Sequence, residues 1–236
     1  MGAEPVVLLG AGGGTRELIA LMRHAESCTG GSVVWPILGI LDDNQALLGS
    51  RVAGIPVLGT LDDAHRHEGA MFISGIANAL DRTIRVKVAQ RMNLEDERWA
   101  TFVHPQATIV DSAVLGPDVI IYPHAVVSSD ARVGAHSLVY YGAVIHHDSV
   151  VGEGCCLCAS VAIAGHVTIG RSSYLGVGCT VRDHVRIGDN VLVGMGAAVV
   201  SDVPSGCTVA GVPARPLRVP GCNALTTRLT RKPRTP

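Results

Sequence analysis

The chain has 236 residues, 47% of them hydrophobic, and a formal net charge of -1 at pH 7. That length suits one large domain or two small ones, and a near-neutral balance without a long basic stripe in the folded region argues against a nucleic-acid partner. No apolar run approaches the ~18 residues a membrane span needs, and Met1 to Val6 lack a charged-then-apolar leader, so a cytoplasmic protein without a membrane span is expected.

Val6 to Leu9 read as a buried strand running into Gly10-Ala11-Gly12-Gly13-Gly14-Thr15, followed by a helical run from Arg16 to Ala25 with Thr15 as its N-cap. A second strand, Pro36 to Leu41, ends in Asp42-Asp43. Further apolar segments lie at Ile55 to Leu58 and Met71 to Ile76, and helical segments at Leu61 to His67 and Arg82 to Met92. This alternation predicts a small parallel α/β domain over residues 1–99, with its ligand at the carboxyl ends of the strands. Gly10, Gly12 and Gly13 would let backbone N–H groups at a helix N-terminus meet phosphate. Asp42 or Asp43 would accept ribose or sugar hydroxyls, and Asn78 and Arg85 follow the strand ending near Ile76. Thr15 stands where a dinucleotide fingerprint has its third glycine, and Asp42 lies further on than the ~20 residues of that fingerprint, which disfavours a nicotinamide cofactor.

From Val103 to Val199 every sixth residue is aliphatic, and the residue four places after each is Ala, Ser, Cys or Val. A short fixed period of this kind means a solenoid whose units bury a core by stacking. In each hexad the small and the aliphatic position point inward from a strand, and the remaining residues turn a corner. Three sides make a coil of eighteen residues, a longer period that Gly116, Gly134, Gly152, Gly170 and Gly188 also mark. The expected architecture is a parallel β-helix over 103–215. At its corners His147 shares a column with Asp111, Ser129, Gly165 and Asp183, and Asp148 stacks below His166 and His184. The outward column Ile120, Leu138, Cys156, Tyr174, Leu192 is apolar in every coil and is expected to be an exposed stripe at a trimer interface.

The pattern resembles the hexapeptide-repeat, left-handed β-helix acyltransferases, and within them the bacterial nucleotide-sugar and sialic-acid acetyltransferases. Arg16-Glu17 after the opening loop, Leu41-Asp42-Asp43, Gly54 to Gly59, Val103-His104-Pro105, Ile145-His146-His147-Asp148 and Gly211-Val212-Pro213-Ala214-Arg215 carry the resemblance, in that order. It implies a Rossmann-like first domain holding a nucleotide-linked sugar, a left-handed helix binding acetyl-CoA as co-substrate, and homotrimers with active sites between chains. The implied reaction moves acetyl to an amino or hydroxyl group of that sugar in surface-glycan biosynthesis. His147 would be the general base, Asp148 its orienting partner and the Gly165 N–H an oxyanion donor. Ala197 and Arg215 would join Gly165 in holding the donor, and Cys156 of a neighbouring chain would face the acetyl group. No metal and no permanently bound cofactor are implied. Relatives commonly have His where this chain has Gly14 and Cys156.

Cys155-Cys156-x-Cys158, within a total of seven cysteines, reads as reduced thiols serving as small apolar residues rather than as a disulfide or metal set. After Pro216 the repeat ends, and Arg218, Arg228, Arg231, Lys232 and Arg234 make 216–236 a basic tail expected to be disordered. Two readings of other classes remain: a non-catalytic trimeric sugar-nucleotide scaffold, and a zinc hydratase of the γ-carbonic-anhydrase type, whose histidine spacing differs from the 19 and 18 residues separating His147, His166 and His184.

Overall fold

The computed structural model describes residues 4–31 and 35–217; the basic run from Arg218 lies outside the described residues. Strand β1 (Val6–Leu9) is buried along its whole length, which suits a run with no polar face. It passes through Gly10, at φ +84°, into helix α1 (Gly13–Cys28). The helix starts earlier than its periodicity predicts, because Gly12 rather than Thr15 is the N-cap. Thr15 is buried in the first turn, where its hydroxyl donates to the Leu9 carbonyl at 3.4 Å.

Strands β2 (Ile37–Leu41), β3 (Arg51–Val52), β4 (Ile55–Gly59) and β5 (Met71–Ser74) complete a five-stranded sheet in the order β3-β4-β2-β1-β5. β4, β2, β1 and β5 run parallel and β3 is an antiparallel edge. From β1 the chain goes first to one side (β2) and later to the other (β5), so the carboxyl end of β1 is the point where the winding reverses and a crevice opens. The segment after β4 is a 3-10 turn, Leu61–Arg66, fixed by a capping box between Thr60 and Asp63. Helix α2 (Ile84–Met92) ends on Asn93 in the left-handed conformation.

From Phe102 the chain winds as two-residue parallel strands paired eighteen residues apart, as in Val126↔Val144, Arg132↔Val150 and Leu138↔Cys156. Three sheets result, with outward residues Ile120, Leu138, Cys156 on the first face, Val126, Val144, Ala162 on the second and Arg132, Val150, Thr168 on the third. The aliphatic hexad positions fill the interior, Val127, Val139, Ile145, Val151, Leu157 and Ile163 being no more than 1% exposed. Asp118, His124, Asp130, His136, Asp148, Ser160, His166 and His184 all turn corners at φ between 52° and 61°. Short polar side chains tolerate that left-handed backbone best, which is why Asp, His, Ser and Gly gather at the corners.

The first face is not open. Leu18, Leu21, Met22 and Ala25 of α1 share one core with Ile120, Leu138 and Cys156, and the first two outward residues are 1% and 2% exposed. The expected exposed stripe is therefore covered, at its N-terminal coils, by the chain's own α/β part. A buried ion pair fastens the two: Arg85 Nη2 to Asp118 Oδ2 at 2.9 Å, both side chains at most 3% exposed. Asp118 Oδ1 also accepts the Ser74 N–H, and His136 Nδ1 lies 3.1 Å from Asp118 Oδ2.

Candidate active site

The corner between the second and third faces is built by Ile145, which points inward, and by Ser149, whose hydroxyl donates to Ala164 O and accepts from Val167 N–H one coil on. Between them His147 and Asp148 project outward, their side chains about half exposed. His147 Nδ1 lies 2.8 Å from Asp148 Oδ2, and that hydrogen bond holds the Asp148 carboxyl below its ordinary range, with the His166 ring adding to it. His166 Nδ1 is 3.8 Å from the same oxygen. The His166 ring stands edge-on to His147 at 5.1 Å and stacks on His184 at 4.7 Å.

Gly165 lies one coil beyond His147. A Cβ there would stand 2.8 Å from the imidazole Cε1 and 2.9 Å from Nε2, so the ring is laid against bare backbone that no other residue would provide. Among the described residues no acceptor engages the Gly165 N–H. A proton acceptor with a half-exposed ring and an unengaged N–H buried beneath that ring therefore share one corner. That pairing suits attack on a carbonyl, where one group removes a proton and the other meets the developing oxyanion.

The second group of expected residues gathers at the carboxyl end of β1. Gly12 has nothing within 4 Å of a built Cβ and Gly13 only the tip of Arg16, while α1 has no side-chain cap. Its first N–H groups thus face an open approach, the arrangement that attracts an anion. Asp42 supports this loop from below: Oδ2 accepts the Ala11 N–H at 2.6 Å and Oδ1 the Asn44 N–H at 2.8 Å. Asp43 is held by Arg91, whose hydrogen bond lowers its carboxyl, and it also accepts the Leu61 N–H. Gly14 has no space for a side chain, since a Cβ would stand 2.3 Å from Gly75 O.

Three expected site residues are placed otherwise. Arg85 is buried with every nitrogen of its guanidinium donating within the chain: Nε to His136 O, Nη1 to Ser74 O and Ile76 O, and Nη2 to Asp118. It clasps the two parts together and has no donor left for a ligand. Ala197 is 1% exposed inside the helix, its N–H given to Gly194 O and its carbonyl taken by Thr180 N–H. Cys156 lies on the first face, buried in a small pocket with Asn78, Arg82, Arg85 and Tyr174 of its own chain. Its hydrogen bond to Cys158 and its burial push its thiol well up, while that bond brings Cys158 down to about 7. Cys155, Cys156, Cys158 and Cys179 are free and buried. Asn78 is exposed, with its Oδ1 taken by Leu80 N–H, and Arg215 is exposed after the turn that follows Thr208–Ala210.

One contact had no sequence signal: the Tyr141 hydroxyl donates to Glu17 Oε1 at 3.1 Å, joining the first turns of α1 to the corner between the first and second faces. Their separation of 124 residues hides it from any local pattern.

No family model matches the sequence, and no curated protein matches it. Solved structures do. A mutant of perosamine N-acetyltransferase from Caulobacter crescentus, in complex with CoA and GDP-perosamine, is 28% identical over 91% of this chain and 97% of its own, with a TM-score of 0.78. The acetyltransferase domain of PglB from Neisseria gonorrhoeae, in complex with acetyl coenzyme A, is 27% identical over 92% of this chain and 100% of its own, also at 0.78. WeeI from Acinetobacter baumannii is 25% identical over 90% and 99%, at 0.74. Across nine-tenths of its length this chain is similar to bacterial sugar acetyltransferases built on hexapeptide repeats.

Proposed function

We propose that the chain transfers acetyl from acetyl-CoA to the amino group of a nucleotide-linked sugar, in the cytoplasm, with His147 as general base. The observation that carries this reading is the His147 imidazole, paired with Asp148 and laid against Gly165, on a chain similar over nine-tenths of its length to an N-acetyltransferase of such a sugar. His147 Nε2 takes a proton from the acceptor nitrogen as that nitrogen bonds to the thioester carbonyl carbon. The Gly165 N–H donates to the resulting oxyanion, and Asp148 stabilises the imidazolium. Collapse of the tetrahedral intermediate breaks the C–S bond, and the CoA sulfur leaves with the proton held by His147.

In this reading residues 1–99 form a Rossmann-like domain in which Gly10, Gly12 and Gly13 meet the nucleotide phosphates, with Asp42 bracing the loop. Residues 103–215 form a left-handed β-helix that binds the donor, Arg215 reaching CoA phosphate. The working unit is a homotrimer. Its interface is the second face, whose outward residues Thr108, Val126, Val144, Ala162, Thr180 and Ala198 are small or β-branched, and along whose edge Tyr141, Val177 and Met195 are exposed apolar side chains. That face adjoins the His147 corner, so a second chain would wall the site.

The test is release of free thiol from acetyl-CoA by the purified full chain with GDP-, UDP-, CMP- and dTDP-linked amino sugars. Acceptor-dependent release supports the reading. Release with none of them, alongside nucleotide binding, would favour the scaffold instead.

A further inference from the structure

Away from the His147 corner, three side chains with metal-binding atoms converge where α1 meets the first coil of the β-helix. His24 and Cys28 are four residues apart on α1, so both project from one side of it. His104, fully buried, comes from the coil start. His24 Nδ1 is 2.9 Å from His104 Nε2, Cys28 Sγ is 3.9 Å from His24 Nδ1, and one donor atom of each residue lies within 4.8 Å of the others.

We propose that His24, Cys28 and His104 bind a thiophilic divalent cation, zinc by preference, that pins α1 to the β-helix. Zinc–nitrogen and zinc–sulfur bonds of about 2.1 and 2.3 Å in a tetrahedron set N···N near 3.4 Å and N···S near 3.6 Å. The His24–His104 and His24–Cys28 pairs depart from these by about half an ångström or less, and Cys28 closes on His104, which it approaches within 4.8 Å, by side-chain rotation on the exposed His24 and Cys28. Two imidazoles and a thiolate select zinc over magnesium or calcium, and the exposed side of the cluster lets water take the fourth position.

The metal-free contact has its own chemistry. The Gln106 N–H donates to His104 Nδ1 at 3.1 Å, which leaves the His104 proton on Nε2, given to His24. A bound cation replaces that proton, and Nδ1, protonated in turn, gives up Gln106. The exchange makes the affinity weaker than that of closed structural zinc sites.

Cobalt(II) titrated into the reduced full chain, with a phosphine reductant, reads the site directly. The expected result is one equivalent bound with a thiolate-to-cobalt charge-transfer band in the near ultraviolet, abolished by Cys28→Ala and weakened at least tenfold in affinity by His24→Ala. Zinc should displace the cobalt and raise the melting temperature of the wild type but not of Cys28→Ala. The His147-Asp148-His166 group holds no thiol, so cobalt there gives no such band. No band at millimolar cobalt, or a band that survives Cys28→Ala, overturns the proposal.

Discussion

The imidazole of His147 is fixed by two neighbours of opposite character, a carboxylate at 2.8 Å and a glycine whose missing side chain makes room for the ring. His147→Ala should lower kcat by on the order of 10²-fold, the scale of losing a positioned base, with acetyl-CoA binding little changed. Steady-state kinetics with equilibrium CoA binding checks both halves. Gly165→Ala should cost a comparable ~10²-fold, because its methyl would displace the ring by a sizeable fraction of an ångström. Asp148→Asn should cost less than either, since the amide still accepts or donates at the same distance. These residues were legible because the hexad places every corner, and the motif Ile145-His146-His147-Asp148 picks one of them. Cys156 stands outward as the hexad predicts, and what covers it comes from Asn78, Arg82 and Arg85, far off in sequence.

Helix α1 and its glycine loop show where local pattern fails. The sequence offers Thr15 as a cap, yet Gly12 takes that place, and the helix opens at Gly13. Gly14 and Gly75 pack backbone to backbone, so Gly14→Ala should destabilise the chain by about 1–3 kcal/mol, the usual cost of overpacking, in urea unfolding. Arg85 looked like a ligand residue because nothing near it in sequence announces Asp118, its buried partner 33 residues away. Arg85→Met should cost about 3–5 kcal/mol by leaving that carboxylate buried without its guanidinium, with only His136 and the Ser74 N–H beside it. The junction also responds to pH. His104 has a folded pKa below its ordinary 6.5, so its contribution to stability is present above about pH 6.5 and is lost as pH falls toward the folded value. Melting temperature should therefore drop with pH below about 6.5, and less steeply in His104→Asn.

At the level of the assembled molecule, the β-helix could be read almost residue by residue, since a core repeated every six positions writes its period directly into the sequence. Which face remains open could not, because long-range packing of α1 decides it. With the first face covered by Leu18, Met22 and their neighbours, the proposed trimer would use the second face with Tyr141, Val177 and Met195. Met195→Glu with Val177→Glu should convert the trimer to monomers in sedimentation equilibrium and abolish turnover with it; a wild type that is monomeric at micromolar concentration contradicts this. The most direct test is thiol release from acetyl-CoA by the wild-type full chain and by His147→Ala, each with a GDP-linked amino sugar and a matched hydroxyl sugar. Acceptor-dependent release with the amino sugar, lost by about 10²-fold in the variant, is the predicted result. Equal turnover by the two proteins would contradict it.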